Sequence, residues 1–316
     1  MEDFSLPIAS FMLISLLATS SIAAASECYP NVAPHTTDNK TYLVMTIKTE
    51  PYFRESGGCI TGFIPDLMKS MSEFLNIKFE LKTSPDNKIG IKEADGSFNG
   101  LAGEILNRHA DVAAGPMRLN SVAERVLDFS FPYMNSAFVI LYKRPSADTP
   151  LPFHGAEDLL DSDISIGAVR DGNVHLFLRT STRDTFRSLY RAIERQGNWL
   201  GSLSEGIKRV QNGNFALIVE KDLALYAAMR PPCDVIIVGE NLIDFGYSLA
   251  MPIGSDVQHL INLALLTLKE EGKIEKIYDK YWQKKCRGPI RFNSASIMHN
   301  SGIAGLALIL VIVKLI

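Results

Sequence analysis

One stretch limits the possible folds more than any other: residues 98–133, FNGLAGEILNRHADVAAGPMRLNSVAERVLDFSFPY. Leu101, Ile105 and Leu106 recur at helical spacing behind Asn99-Gly100, which predicts a helix, and the apolar run 110–114 predicts a short strand. Gly115-Pro116 must turn. The spacing then predicts a second helix, capped by Asn120 or Ser121, with Glu124 in its first turn. Asp128-Phe129-Ser130-Phe131-Pro132-Tyr133 is a Pro-broken apolar segment that crosses to another part of the molecule. A strand that turns into a helix N-terminus gathers free N–H groups and a positive dipole end, a natural site for an anion. The chain is therefore read as α/β.

Outside this stretch, composition mostly excludes. A net charge of -3 gives no case for a nucleic-acid surface. No G-x-S-x-G, H-E-x-x-H, P-loop or Cys/His metal spacing is present, so no enzyme, cofactor or metal is expected. Residues 4–25 are an apolar run that ends in small residues, so 1–25 reads as a secretory signal peptide. Asn39-Lys40-Thr41 is a glycosylation sequon at Asn39. Residues 288–301 form a polar spacer, and 302–316 (GIAGLALILVIVKLI) an apolar tail shorter than the roughly 20 residues a membrane span requires. The pattern fits a GPI-attachment signal or a short membrane anchor. Both readings place the folded part on the extracellular face of the cell membrane. Four cysteines, Cys28, Cys59, Cys233 and Cys286, suit two disulfides in an oxidising compartment, and their spacing does not choose among the three pairings.

The wording of residues 98–133 is more particular than its secondary structure. Phe98-Asn99-Gly100, Gly103-Glu104, Asp111, Ala113, Pro116 and 128–133 reproduce, in order and at matching spacing, motifs of the ionotropic glutamate receptor ligand-binding domain. That domain is related to the bacterial periplasmic amino-acid-binding proteins. The similarity extends over residues 41–287. It implies a bilobal, periplasmic-binding-protein-like clamshell with two crossover strands, with residues 41–132 and 250–287 in lobe 1 and 133–249 in lobe 2. It also pairs Cys233 with Cys286, which leaves Cys28 for Cys59. In receptor subunits a pore interrupts the domain after the first crossover. Here only residues 144–153 (RPSADTPLPF) intervene, and nothing between 133 and 163 could cross a bilayer.

The resemblance also assigns a site for a small amino-acid-like ligand, gripped by closure of the lobes. Tyr52 matches an aromatic lid. Pro116 offers its carbonyl, and Glu220 its carboxylate, to the ligand's ammonium. Asn173 and Val174 stand where the family has a Ser/Thr pair at the N-terminus of a lobe-2 helix. The arginine that holds the ligand's α-carboxylate is replaced by Ala123, and the threonine before it by Arg118. Arg118 is the candidate substitute anchor, since a guanidinium suits a carboxylate well. The implied function is a tethered extracellular binding protein without a pore. The alternatives are a ligand-silent partner of glutamate receptor channel subunits and, further off, a dehydratase-type enzyme with Glu220 as general base.

Overall fold

The computed structural model describes residues 40–93, 95–146, 149–283 and 285–286. The expected leader, Cys28, Asn39, the spacer 288–301 and the tail 302–316 lie outside the described residues. Among the described residues, no helix is long and apolar enough to cross a membrane.

The chain opens on β1 (Thr41–Thr46), an apolar, β-branched run with Val44 fully buried, followed by the hairpin of β2 (Arg54–Ser56) and β3 (Cys59–Thr61). In α1 (Phe63–Leu75) the residues Ile64, Leu67, Met68 and Met71 fall on one face and are buried. Next come β4 (Lys78–Thr83), α2 (Gly100–Leu106), β5 (Val112–Ala113) and β6 (Leu127–Phe129). The chain then crosses along β7 (Met134–Lys143) into α3 (Ala156–Leu160), β8 (Ser165–Val169), α4 (Asn173–Thr180) and α5 (Asp184–Gln196). After these come β9 (Trp199–Leu200), α6 (Leu203–Asn212), β10 (Phe215–Glu220) and α7 (Lys221–Ala228). It returns by β11 (Val235–Tyr247) to β12 (Ala250–Pro252), α8 (Gln258–Glu270) and α9 (Lys273–Tyr281).

These strands make two five-stranded sheets, ordered β4-β1-β5-β12-β6 and β11-β7-β10-β8-β9. Each mixes parallel and antiparallel pairs, as the bilobal clamshell requires: β1 runs parallel to β4 and β5, and β10 runs parallel to β8 but antiparallel to β7. The two crossings lie side by side, with Ser130 N donating to Leu249 O and Tyr133 N to Tyr247 O, both at 2.9 Å. One apolar cluster joins the sheets at this point, and Tyr52, Phe63, Tyr133, Tyr247 and Trp282 pack in it. The Cys233–Cys286 disulfide ties the end of the chain after α9 to the loop after α7. Cys59 is also disulfide-bonded, while Cys28, the partner the resemblance leaves for it, lies outside the described residues.

Three expectations change. The second helix predicted after Pro116 is a single 3-10 turn, Ala123–Arg125. Asn120 does cap it, its Oδ1 accepting from Val122 N (3.1 Å) and Ala123 N (3.0 Å), but Leu127 and Phe129 are drawn into pairing with β12 and the turn cannot lengthen. Secondly, residues 235–247 form one strand with a register shift between Val238 and Ile243, where the sequence predicts a return strand over 235–238 and a separate crossover over 244–251. Thirdly, Lys221 and Asp222, which the sequence places at the C-terminal edge of a strand, open the helix α7.

Candidate functional site

The cleft is bounded on the first lobe by the turn at Pro116 and by the loop 86–93. That loop is pinned over the start of α2. Asp86 accepts from Lys88 N (3.1 Å) and Gly100 N (2.8 Å), and Asn99 Oδ1 accepts from Ile91 N (2.8 Å). Gly90 and Gly100 both hold positive φ, and a Cβ on either would meet neighbouring backbone or Ala102 at 2.5–2.8 Å, so only glycine allows this close approach. The second lobe supplies the first turn of α4 and the end of β10, the edge at which open α/β sheets take ligands. Lys88 Nζ reaches Asp171 Oδ2 across the cleft at 3.2 Å.

At the centre, one amide joins the lobes. Asn173 Nδ2 donates to Pro116 O (2.9 Å) and to Glu220 Oε1 (3.1 Å). Both partners are acceptors, so the nitrogen must be the atom that faces them. Glu220 is buried, and burial together with the Asp222 charge pushes its pKa up to about 7, against the opposing pull of Asn173 and Arg118.

Arg118 sits beside this clasp. Its guanidinium carbon lies 5.7 Å from the ring centres of Phe138 and Phe177 and 5.8 Å from that of Phe245, a three-sided aromatic cage that favours a cation. Its backbone bridges to Tyr247 on the return crossing, and its Nε is buried with no hydrogen-bond acceptor among the described residues. Burial lowers its pKa, and Glu220 is the first charge that offsets this. Arg118 also lines a cavity of about 270 Å³ between the lobes, together with Lys92, Met117, Ala123, Asn173 and Arg179. The Ala123 methyl group, at the position the resemblance gives to the carboxylate-binding arginine, packs in the same cluster as Leu101 and Leu127.

The structure thus brings Pro116, Arg118, Asn173 and Glu220 together. It does not do so for Tyr52 or Val174. Tyr52 is fully buried at the junction of the lobes, edge-on to Phe63, Tyr247 and Trp282, with its hydroxyl on the Asp222 carboxylate; it is a core residue and not a lid. Val174 points into the second lobe's core, because it follows Asn173 by about 100° around the same helix. His175, near the cleft in sequence, is buried against Trp199 and accepts from Asp171 N through Nδ1. Sequence reading missed the cage and the role of Asp222. The cage comes from three distant elements and leaves no local signal. Asp222, two residues after Glu220 at a strand end, was open to notice.

The family described as "Ligated ion channel L-glutamate- and glycine-binding site" matches residues 40–146. Among similar proteins is the "Glutamate receptor ionotropic, kainate 1" of Rattus norvegicus, 23% identical over 86% of this chain and 42% of that protein. The proteins of the same name from Homo sapiens and Macaca fascicularis are each 23% identical over 78% of this chain and 40% of theirs. The chain therefore spans less than half the length of these relatives. The alignment with the rat protein covers 398 residues, more than the 316 of this chain, so it includes residues of that protein without a counterpart here.

Proposed function

We propose that this protein, similar to the ionotropic glutamate receptor ligand-binding domain, binds a small carboxylate of amino-acid size between its two lobes and holds it by closure. The observation that carries this reading is the interlobe cavity lined by three cations, Lys92, Arg118 and Arg179, the Arg118 Nε being buried with no hydrogen-bond partner among the described residues. A carboxylate entering there meets a guanidinium partly desolvated and flanked by three aromatic rings, which lowers the cost of ordering the site on binding. The proposal extends to the setting: a domain presented on the outer face of the cell membrane, held by the C-terminal segment, and without a pore of its own.

A second reading, a ligand-silent partner of glutamate receptor channel subunits, is favoured by Ala123 and by the Asn173 clasp, which closes the lobes on each other directly. A thermal-shift screen of the full chain against amino acids and small carboxylates separates the two. A ligand at one hundred times its dissociation constant adds about 2.7 kcal/mol to stability, and a partner subunit with a silent site shows no shift with any compound.

A further inference from the structure

We propose that this cleft selects carboxylates that carry no ammonium group, compact organic acids with an apolar body, because the place of a ligand's ammonium is filled by the side chain of Asn173. The inference rests on the ligand-binding reading above and narrows it to a chemical class.

An amino acid presents a cation and an anion on neighbouring atoms, so its site must offer acceptors and donors side by side. In this cleft the acceptors are the Pro116 carbonyl and the Glu220 carboxylate, and one nitrogen already bonds to both: Asn173 Nδ2, at 2.9 and 3.1 Å. Asn173 is 5% exposed and Glu220 9%, so neither group is free to turn outward to water. An incoming ammonium would have to displace the amide and leave it buried without acceptors, a penalty of the kind that sets specificity against a charged intruder. It would also arrive beside Arg118, whose like charge lies close enough to Glu220 to lower that group's pKa.

The donor side is unfilled by contrast. Arg118 Nε has no acceptor among the described residues, and Lys92 and Arg179 line the same cavity. The rest of the lining is largely apolar: Ile89, Ile91, Phe98, Val122 and Leu176 face the space, with Ala123 in place of a charged side chain. Three cations against one acidic group, Glu93, call for an anion, and the apolar walls call for a hydrocarbon or aromatic body attached to it.

The test uses the purified full chain and two matched pairs: 4-methylpentanoate against leucine, and 3-phenylpropanoate against phenylalanine. Affinities come from calorimetric titration, with thermal shifts as a second readout. At least one acid is expected to bind ten or more times tighter than its amino acid. Asn173→Ala and Asn173→Ser, which reopen the ammonium position, should shrink that ratio at least tenfold. An amino acid that binds the unmodified chain as tightly as its acid overturns the inference and leaves the ligand-binding reading standing. A ratio unchanged in both folded variants overturns the role given to Asn173. Should neither pair bind, the inference falls, and a response to any other compound in the wider screen shows whether the ligand-binding reading falls with it.

Discussion

Glu220 and Asp222 stand two residues apart at the junction of β10 and α7, both buried, both with carboxyl groups raised above their ordinary range by burial. Their surroundings differ. Asp222 faces the packed aromatic junction of the lobes and accepts from the Tyr52 hydroxyl and the Ser136 hydroxyl, while its backbone carbonyl takes the Trp282 indole N–H at 2.8 Å. Glu220 faces the cleft, where one amide donates to it and a caged guanidinium is its nearest counter-charge. Asp222 joins the first lobe, the first crossing and the C-terminal helix in one dry network, so its work is to hold the clamshell's hinge region together. Glu220 is held by one buried amide from the element across the cleft, so under the proposed function its work is tied to occupancy. Two carboxylates of the same strand end face different surroundings, one the packed junction and one the cleft, because the chain turns between them.

The largest expected effect falls on the architectural member. Asp222→Ala leaves two buried hydroxyls, on Tyr52 and Ser136, without their acceptor, at roughly 1–3 kcal/mol each. Urea unfolding should therefore show a loss of about 2–6 kcal/mol. A loss below about 1 kcal/mol, within the range of an ordinary surface substitution, would break the contrast and make Asp222 a bystander of the packing.

The second effect tests Glu220 through pH. Its folded-state pKa is raised from 4.5 to about 7, so between these values the folded chain keeps a proton that the unfolded chain has released. The associated stability is fully present below pH 4.5 and is lost as the pH rises through 7, amounting to about 3 kcal/mol. Asp222 is raised as well and pulls in the same direction. Glu220→Gln retains an acceptor for Asn173 and cannot ionise, so the fall in stability between pH 5 and pH 8 should shrink by about 3 kcal/mol without vanishing. Denaturant titrations at the two pH values read this directly. An unchanged fall would mean that Glu220 is charged throughout this range.

The same contrast explains what sequence could and could not reveal. Pro116, Arg118, Asn173 and Glu220 each belong to a short motif with fixed local spacing, and the cleft is where those local turns meet, so a reading by motif finds them. The two sheets follow from β-branched runs such as Thr41–Thr46 and Phe215–Glu220, whose burial matches their pattern. The hinge is different. Tyr52 becomes a core residue only because Tyr247 and Trp282, some two hundred positions later, close over it, and no periodicity near Tyr52 encodes that. The failed helix after Pro116 follows the same logic. Its cap at Asn120 and its first-turn Glu124 are sound local signals, but pairing of β6 with β12 outweighs them. The cage around Arg118 assembles Phe138, Phe177 and Phe245 from three elements and is equally invisible to local reading.

The smallest effect probes how redundant the architectural network is. Ser136→Ala removes one of the two hydroxyls that hold Asp222. Beside it the buried Tyr247 phenol is within reach of both Asp222 and Ser136 but makes no well-formed hydrogen bond among the described residues. A small turn of the carboxyl group then gives Tyr247 an acceptor and Asp222 a replacement donor, so most of the lost bond is recovered. The expected cost is about 1 kcal/mol in urea unfolding, below the roughly 1.5–3 kcal/mol of a bond to a charged group. The dependence of stability on pH that belongs to Glu220 should not move, because the cleft is untouched. If Ser136→Ala instead altered ligand affinity as much as stability, the hinge and the cleft would be one coupled unit, and closing the lobes would be felt at Asp222 as well as at Glu220.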